Sequence, residues 1–105
     1  MAHDEQLAAR VRSLLADRDD VAERRMFGGL AFMVAGRMAV AILGDTLLVR
    51  LGADGADAAL DEPHVRPMDF TGRPSRGSVY VAPEGTATDA ALADWVGRGV
   101  AFAAG

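Results

Sequence analysis

The sequence predicts an α+β domain: an antiparallel sheet of about five strands, built on a central three-stranded meander, with helices packed on one face. Three observations predict it. Residues 26–51 are the longest apolar region, and turn signals at Ala35-Gly36 and Gly44-Asp45 divide it at strand-length intervals. On either side, apolar residues recur at helical spacing: Leu7, Val11, Leu14 and Leu15 before it, and Leu92, Trp95, Val96, Gly99 and Val100 after it. The chain has 105 residues, half of them hydrophobic, which suits one domain (1–105) with a core of its own.

Taken in order, residues 4–17 read as the first helix. Asp4 and Glu5 stand at its start, where acids suit the helix dipole. Residues 21–25 form a polar approach to the first strand, or a further short helical turn. The first strand is expected over 26–34, with Gly28-Gly29 inside it marking a bulge or a close backbone approach. Gly36 supplies the positive φ of a tight hairpin into strand 37–43. Gly44-Asp45 is a two-residue turn with glycine first, leading into strand 46–51. A short helix follows over 54–60, with Asp54 as its cap. Residues 63–77, with three prolines and two glycines, form a long connection in which 65–68 suits a short edge strand. Residues 78–81 form a strand, 83–85 a turn and 86–104 the last helix, capped by Thr86 or its rival Thr88. In that helix Gly97 and Gly99 each cost roughly 1 kcal/mol relative to alanine unless they permit close approach to the sheet.

Strict alternation along the meander sorts its side chains onto two faces. One face collects Met26, Leu30, Phe32, Val34, Met38, Val40, Ile42, Leu47, Val49 and Leu51. It is large and continuous, and it calls for helices. The other collects Phe27, Ala31, Met33, Ala39, Ala41, Leu43, Leu48 and Arg50. A solvated antiparallel face is normally polar, and this one is mostly apolar. Either the chain covers part of it or it meets a partner, most simply a second copy. Phe27, Met33, Leu43 and Leu48 are the candidate partner face. The glycine pair sets the register, and a shift of one residue there swaps the faces locally.

Composition excludes several chemistries. There are no cysteines, so disulfides, thiolate metal sites and a cysteine nucleophile are absent. All eleven basic residues are arginine, which removes a phosphate-loop lysine and a Schiff-base lysine. A net charge of −4 disfavours unaided DNA binding. The first ten residues are charged and lack an apolar signal core, so no signal peptide is expected and the expected location is the cytoplasm. Residues 26–44 imitate a membrane span, but they hold four glycines and Arg37. A central arginine costs about 2.5–3.5 kcal/mol there, so no membrane association is expected.

No catalytic motif emerges. His3 and His64 lack a second ligand at metal-binding spacing, and the acids fall mostly at helix starts and turns; Asp69 reads as a turn former. Ser78 is in no nucleophile elbow, and Gly28-Gly29 lacks the flanks of a phosphate cradle. No catalytic residue, metal or cofactor is expected. The strongest binding candidates are Arg66, Arg73 and Arg76 in the 63–77 connection, near His64, because arginine forks match phosphate and carboxylate oxygens. Arg50 and Tyr80 are candidates for a polar spot on the second sheet face.

The run Arg24-Arg25-Met26-Phe27-Gly28-Gly29-Leu30-Ala31-Phe32, the hairpin with Gly36 and Met38, Leu48-Val49-Arg50-Leu51, Arg66-Pro67-Met68-Asp69-Phe70-Thr71-Gly72-Arg73-Pro74, Val79-Tyr80-Val81 and a final helix with Trp95 together resemble the N-terminal domain of the TfoX/Sxy family. The resemblance covers nearly the whole chain. It implies a two-layer α+β fold similar to secretion-chaperone-like domains, and no known enzymatic activity. Full-length members look like regulators of competence genes acting beside a cyclic-AMP receptor protein, and they carry a second, helical domain. This sequence ends at Gly105 without one, so it reads as a stand-alone, single-domain member. The resulting expectation is a small non-enzymatic protein-binding module, a transcription or competence co-regulator with a protein partner or a homodimeric state. The alternative is a small-ligand or anion-binding domain using the arginine-rich connection.

Overall fold

A computed structural model describes residues 4–26, 28–70 and 73–105, with the backbone alone described for 68–70 and 73–76. The elements run α1 (Glu5–Leu14), β1 (Val21–Met26), β2 (Gly29–Val34), β3 (Arg37–Leu43), β4 (Thr46–Arg50), α2 (Gly52–Ala59), β5 (Val65–Phe70), β6 (Arg73–Val81), a 3₁₀ turn (Pro83–Thr86) and α3 (Asp89–Ala104). The strands form one six-stranded antiparallel sheet in the order β1-β2-β3-β4-β6-β5. The α+β class and the single helical layer match the reading of the sequence.

The helices close one face. Leu7, Ala8, Val11 and Leu15 of the α1 region, Ala56 and Ala59 of α2, and Leu92, Trp95 and Val96 of α3 meet Leu30, Phe32, Val40, Ile42, Leu47, Val49, Val79 and Val81 of the sheet in one buried cluster. Burying each large side chain of this set contributes about 1.5–3 kcal/mol, so this layer carries most of the stability. Asp4 caps α1, its carboxylate accepting from the Gln6 and Leu7 amides at 2.8 and 3.3 Å. The Asp4 amide donates to the Gly44 carbonyl at 2.7 Å, which ties α1 to the β3–β4 turn.

Four expectations change. First, residues 21–26 form an edge strand, and the expected first strand is two strands turning at Gly28 (φ 75°). Residues 22–25 of β1 are all exposed, so the apolar alternation that announces a strand is missing. Glu23 faces the helix layer without being apolar because Arg12 of α1 donates to it at 2.7 and 2.9 Å. Second, Gly29 is the expected close approach, since a Cβ there would overlap the Ile42 carbonyl oxygen, whereas the bulge lies in β3. Phe32 pairs with Val40 but Met33 with Met38, leaving Ala39 as the extra residue. Third, the 63–77 connection is mostly the β5–β6 hairpin at a sheet edge, where Pro67 is tolerated for want of a ladder partner on its outer side. Fourth, α2 starts at Gly52 (φ 78°) with Leu51 at the cap position and no side-chain cap, so Asp54 sits in the first turn instead. Of the rival caps, Thr88 is used, accepting from the Ala91 amide at 3.1 Å, while Thr86 is buried and bonds the Pro83 carbonyl.

The bulge redistributes the faces. Ala39 turns to the helix side, into a cluster with Val34 and Ala103, and Met38 turns to the other side beside Met33. Met26 also lies on that second side, because it pairs with Gly29 and alternates with Arg24, which pairs with Ala31. The helix α3 sits directly on the bulge. A Cβ at Gly99 would stand 2.5 Å from the Ala39 carbonyl oxygen and 2.9 Å from Val40 Cγ1, whereas at Gly97 it would meet nothing within 4 Å. The two glycines therefore respond oppositely to alanine. Gly99→Ala is expected to lower stability by about 1–3 kcal/mol through overpacking. Gly97→Ala should raise it by about 0.5–1 kcal/mol through helix propensity. Thermal unfolding of the two single variants measures both signs.

Candidate functional site

The second sheet face is where the structure departs most from an ordinary solvated sheet. One cross-strand row runs over it from edge to edge: Arg24, Ala31, Ala41, Leu48, Tyr80 and Arg66, each paired with the next. Ala31, Ala41 and Leu48 are fully buried, although no residue of a described helix belongs to their cluster. What covers them is a set of half-buried neighbours, Met26, Met33, Met38, Leu43 and Tyr80, packed against them. Met33 and Met38, paired across strands, flank the row on one side. Met26 and Leu43, on either side of Gly29, flank it on the other. The face is a floor of two alanines and Leu48 under flexible methionines, which can repack against different shapes.

The ends of the row are cationic. The Arg66 guanidinium lies 4.6 Å from the Tyr80 ring centroid, a cation–π distance that holds the side chain along the face. Arg24 is exposed at the opposite edge. Among residues whose side chains are described, no strand position on this face carries a carboxylate. Several acids on the helix layer and near β1 pair with arginine. Glu62 accepts from Arg98 at 2.6 and 3.0 Å, and Asp94 approaches the same guanidinium at 2.8 Å. Arg98, whose ring neighbour is Trp95 at 4.2 Å, is held above its ordinary pKa chiefly by the hydrogen bond to Glu62. Arg18 donates to Asp20 at 2.9 and 2.8 Å and keeps that carboxyl below the usual aspartate value.

The residues picked out from sequence fall as follows. Met33 and Leu43 are on the face and half-buried, and Leu48 lies beneath it as floor. Phe27 is outside the described residues, as are His3 and the side chains of Arg73, Arg76 and Asp69. Arg66 and Tyr80 are brought together. Arg50 and Tyr80 are not: Arg50 pairs with Ser78, and its guanidinium lies 5.5 Å from the Phe102 ring, which Arg37 approaches at 5.0 Å. His64 is exposed, in a turn with φ 66°. Arg24 was missed, and Met26 and Met38, assigned from sequence to the helix-side face, lie on this one. Their only sequence signal was the bulge and the extra hairpin, and neither leaves a mark in apolar periodicity. A shallow depression between α1 and α3, lined by Arg10, Ser13, Leu14, Asp89 and Leu92, is bridged by an Arg10–Asp89 contact of 3.4 Å to a fully exposed carboxylate. Among the described residues no group of three or more His, Asp or Glu side chains is placed to hold a metal ion, and no helix is long and apolar enough to cross a membrane.

Comparison with known proteins gives one finding. The family model described as the TfoX N-terminal domain matches residues 13–103. Neither the curated proteins nor the solved structures contain a significant match.

Two predictions follow from this arrangement. Leu48→Ala should destabilise the fold by about 2–5 kcal/mol as a buried floor position, and Met33→Ala by only about 1 kcal/mol; denaturant unfolding separates them. The Asp20 carboxyl, lowered in the folded state, contributes stability above its unfolded pKa and loses it as pH falls through the folded value. An NMR titration should place its midpoint below that of an ordinary aspartate, and Arg18→Ala should return it upward.

Proposed function

The chain belongs to the TfoX N-terminal domain family, and from that premise we propose that it is a small regulatory module that binds another protein through the methionine-bearing sheet face. The observation that carries this reading is the half-buried set Met26, Met33, Met38, Leu43 and Tyr80 on a face to which no described helix contributes. An antiparallel face left to water is normally polar, and a contiguous apolar patch with a polar edge is the usual mark of an interaction surface. Methionine suits such a surface, because its unbranched thioether adapts to partners of different shape. The module acts by contact and not by catalysis, in the cytoplasm, as a co-regulator of transcription of the kind that the competence regulators of the family suggest.

The test is a surface variant that leaves the helix-side core untouched. Met33→Glu with Met38→Glu places two charges on the face. The double variant should keep the wild-type circular dichroism spectrum and a cooperative melt. It should lose a protein that the wild-type chain captures from host extract, while Arg98→Glu on the helix layer should retain it. The same captured set with both variants would place the contact elsewhere and end this reading.

A further inference from the structure

Resting on that reading, we infer that the face receives an acidic amphipathic segment of another protein, and not a second copy of this chain. The argument is one of charge and length. The row from Arg24 to Arg66 crosses all six strands, which at about 4.8 Å per strand gap makes a track of roughly 24 Å. A helix of about sixteen residues has that length. The middle of the track is apolar, with Met26, Met33, Met38 and Leu43 over the small residues Ala31 and Ala41. Its two ends are the guanidinium groups of Arg24 and Arg66, and among the described side chains no carboxylate lies within ion-pair distance of either. A segment with an apolar stripe and carboxylates toward both ends matches this pattern term by term.

A second copy does not match it. Two such faces related by a two-fold axis in the plane between them meet in one of two simple ways. With the axis along the strands, Arg24 of one copy faces Arg66 of the other. With the axis across the strands, each arginine faces its own equivalent. Both arrangements set like charges opposite each other while their surroundings lose water, which disfavours the wrong partner. The chain as a whole is acidic, with a net charge of −4, yet no described strand side chain on this face is a carboxylate, and Asp45, in the β3–β4 turn at one end of it, accepts from the Thr46 hydroxyl at 3.2 Å. The two terminal arginines with an apolar middle between them suit an acidic amphipathic segment better than a second copy of the chain.

Two synthetic helical peptides of about sixteen residues, with the same leucine stripe, test it. One is flanked by glutamates and the other by lysines. With the full chain carrying ¹³C-labelled methionine methyls, the glutamate peptide should shift the Met26, Met33 and Met38 resonances, and rising salt should weaken it. The lysine peptide should not shift them. Arg24→Glu with Arg66→Glu should weaken the glutamate peptide by about tenfold or more and let the lysine peptide bind. Equal binding of both peptides would overturn the acidic-partner inference while leaving the protein-binding reading intact. A concentration-dependent dimer that buries the same methyls would overturn it in favour of self-association, as would methyl shifts with duplex DNA in favour of nucleic acid. No methyl shift with either peptide, together with a monomer by sedimentation, would remove both the inference and the reading beneath it.

Discussion

The contact on which the rest of the structure depends is the meeting of Gly99 with the bulged backbone at Ala39 and Val40. The absence of a side chain at Gly99 lets α3 come down onto β3. That approach seats Trp95 and Val96 among the sheet residues and allows Ala103 to close over Val34 and Ala39. A glycine in a helix interior costs about 1 kcal/mol in propensity, and here the close packing of helix on sheet offsets it. The bulge and the glycine are complementary: the extra residue at position 39 turns a small side chain toward the helix just where the helix has none.

The same bulge decides what the opposite face shows. By moving Ala39 inward it moves Met38 outward, beside Met33. The helix-side core and the outer methionine face are therefore linked through one irregularity in one strand. A change at position 39 or 99 acts on both, although they lie on opposite sides of the sheet. The face that results is unusual for its hydrophobicity and also for its electrostatics. Arginines stand at its ends, while Glu23, Glu62 and Asp94 are engaged with arginines elsewhere. On this reading most of the stability resides in the helix-side layer and recognition in the other, so changes at the half-buried positions of the outer face cost far less than changes at its buried floor.

How much of this was legible in the sequence depends on whether a feature is local. The α1 stripe of Leu7, Val11 and Leu15, the Asp4 start, the positive φ at Gly36 (84°) and the Gly44 turn (60°) all follow from a few adjacent residues, and all are present, although Leu14, expected in the same stripe, is exposed. The strand β1 was not legible, because an exposed edge strand has no buried side to impose alternation and its inward Glu23 is satisfied by an ion pair. The β5–β6 hairpin was hidden by prolines, which read as loop until an edge position makes them acceptable. Of the candidate site, the apolar excess and Met33, Leu43, Arg66 and Tyr80 were visible. The partnership of Arg66 with Tyr80, and the presence of Arg24, Met26 and Met38, were not.

The sequence by itself determined the α+β class, the order of most elements and the existence of a second apolar face, because these rest on periodicity and turn chemistry within short windows. Only the tertiary structure decided which side chains occupy that face. Side chains alternate with a period of two, so a single extra residue at Ala39 and a single turn at Gly28 exchange sides. Where such a shift falls is settled by packing against a helix some sixty residues away in the chain, at Gly99, and not by the residues around it.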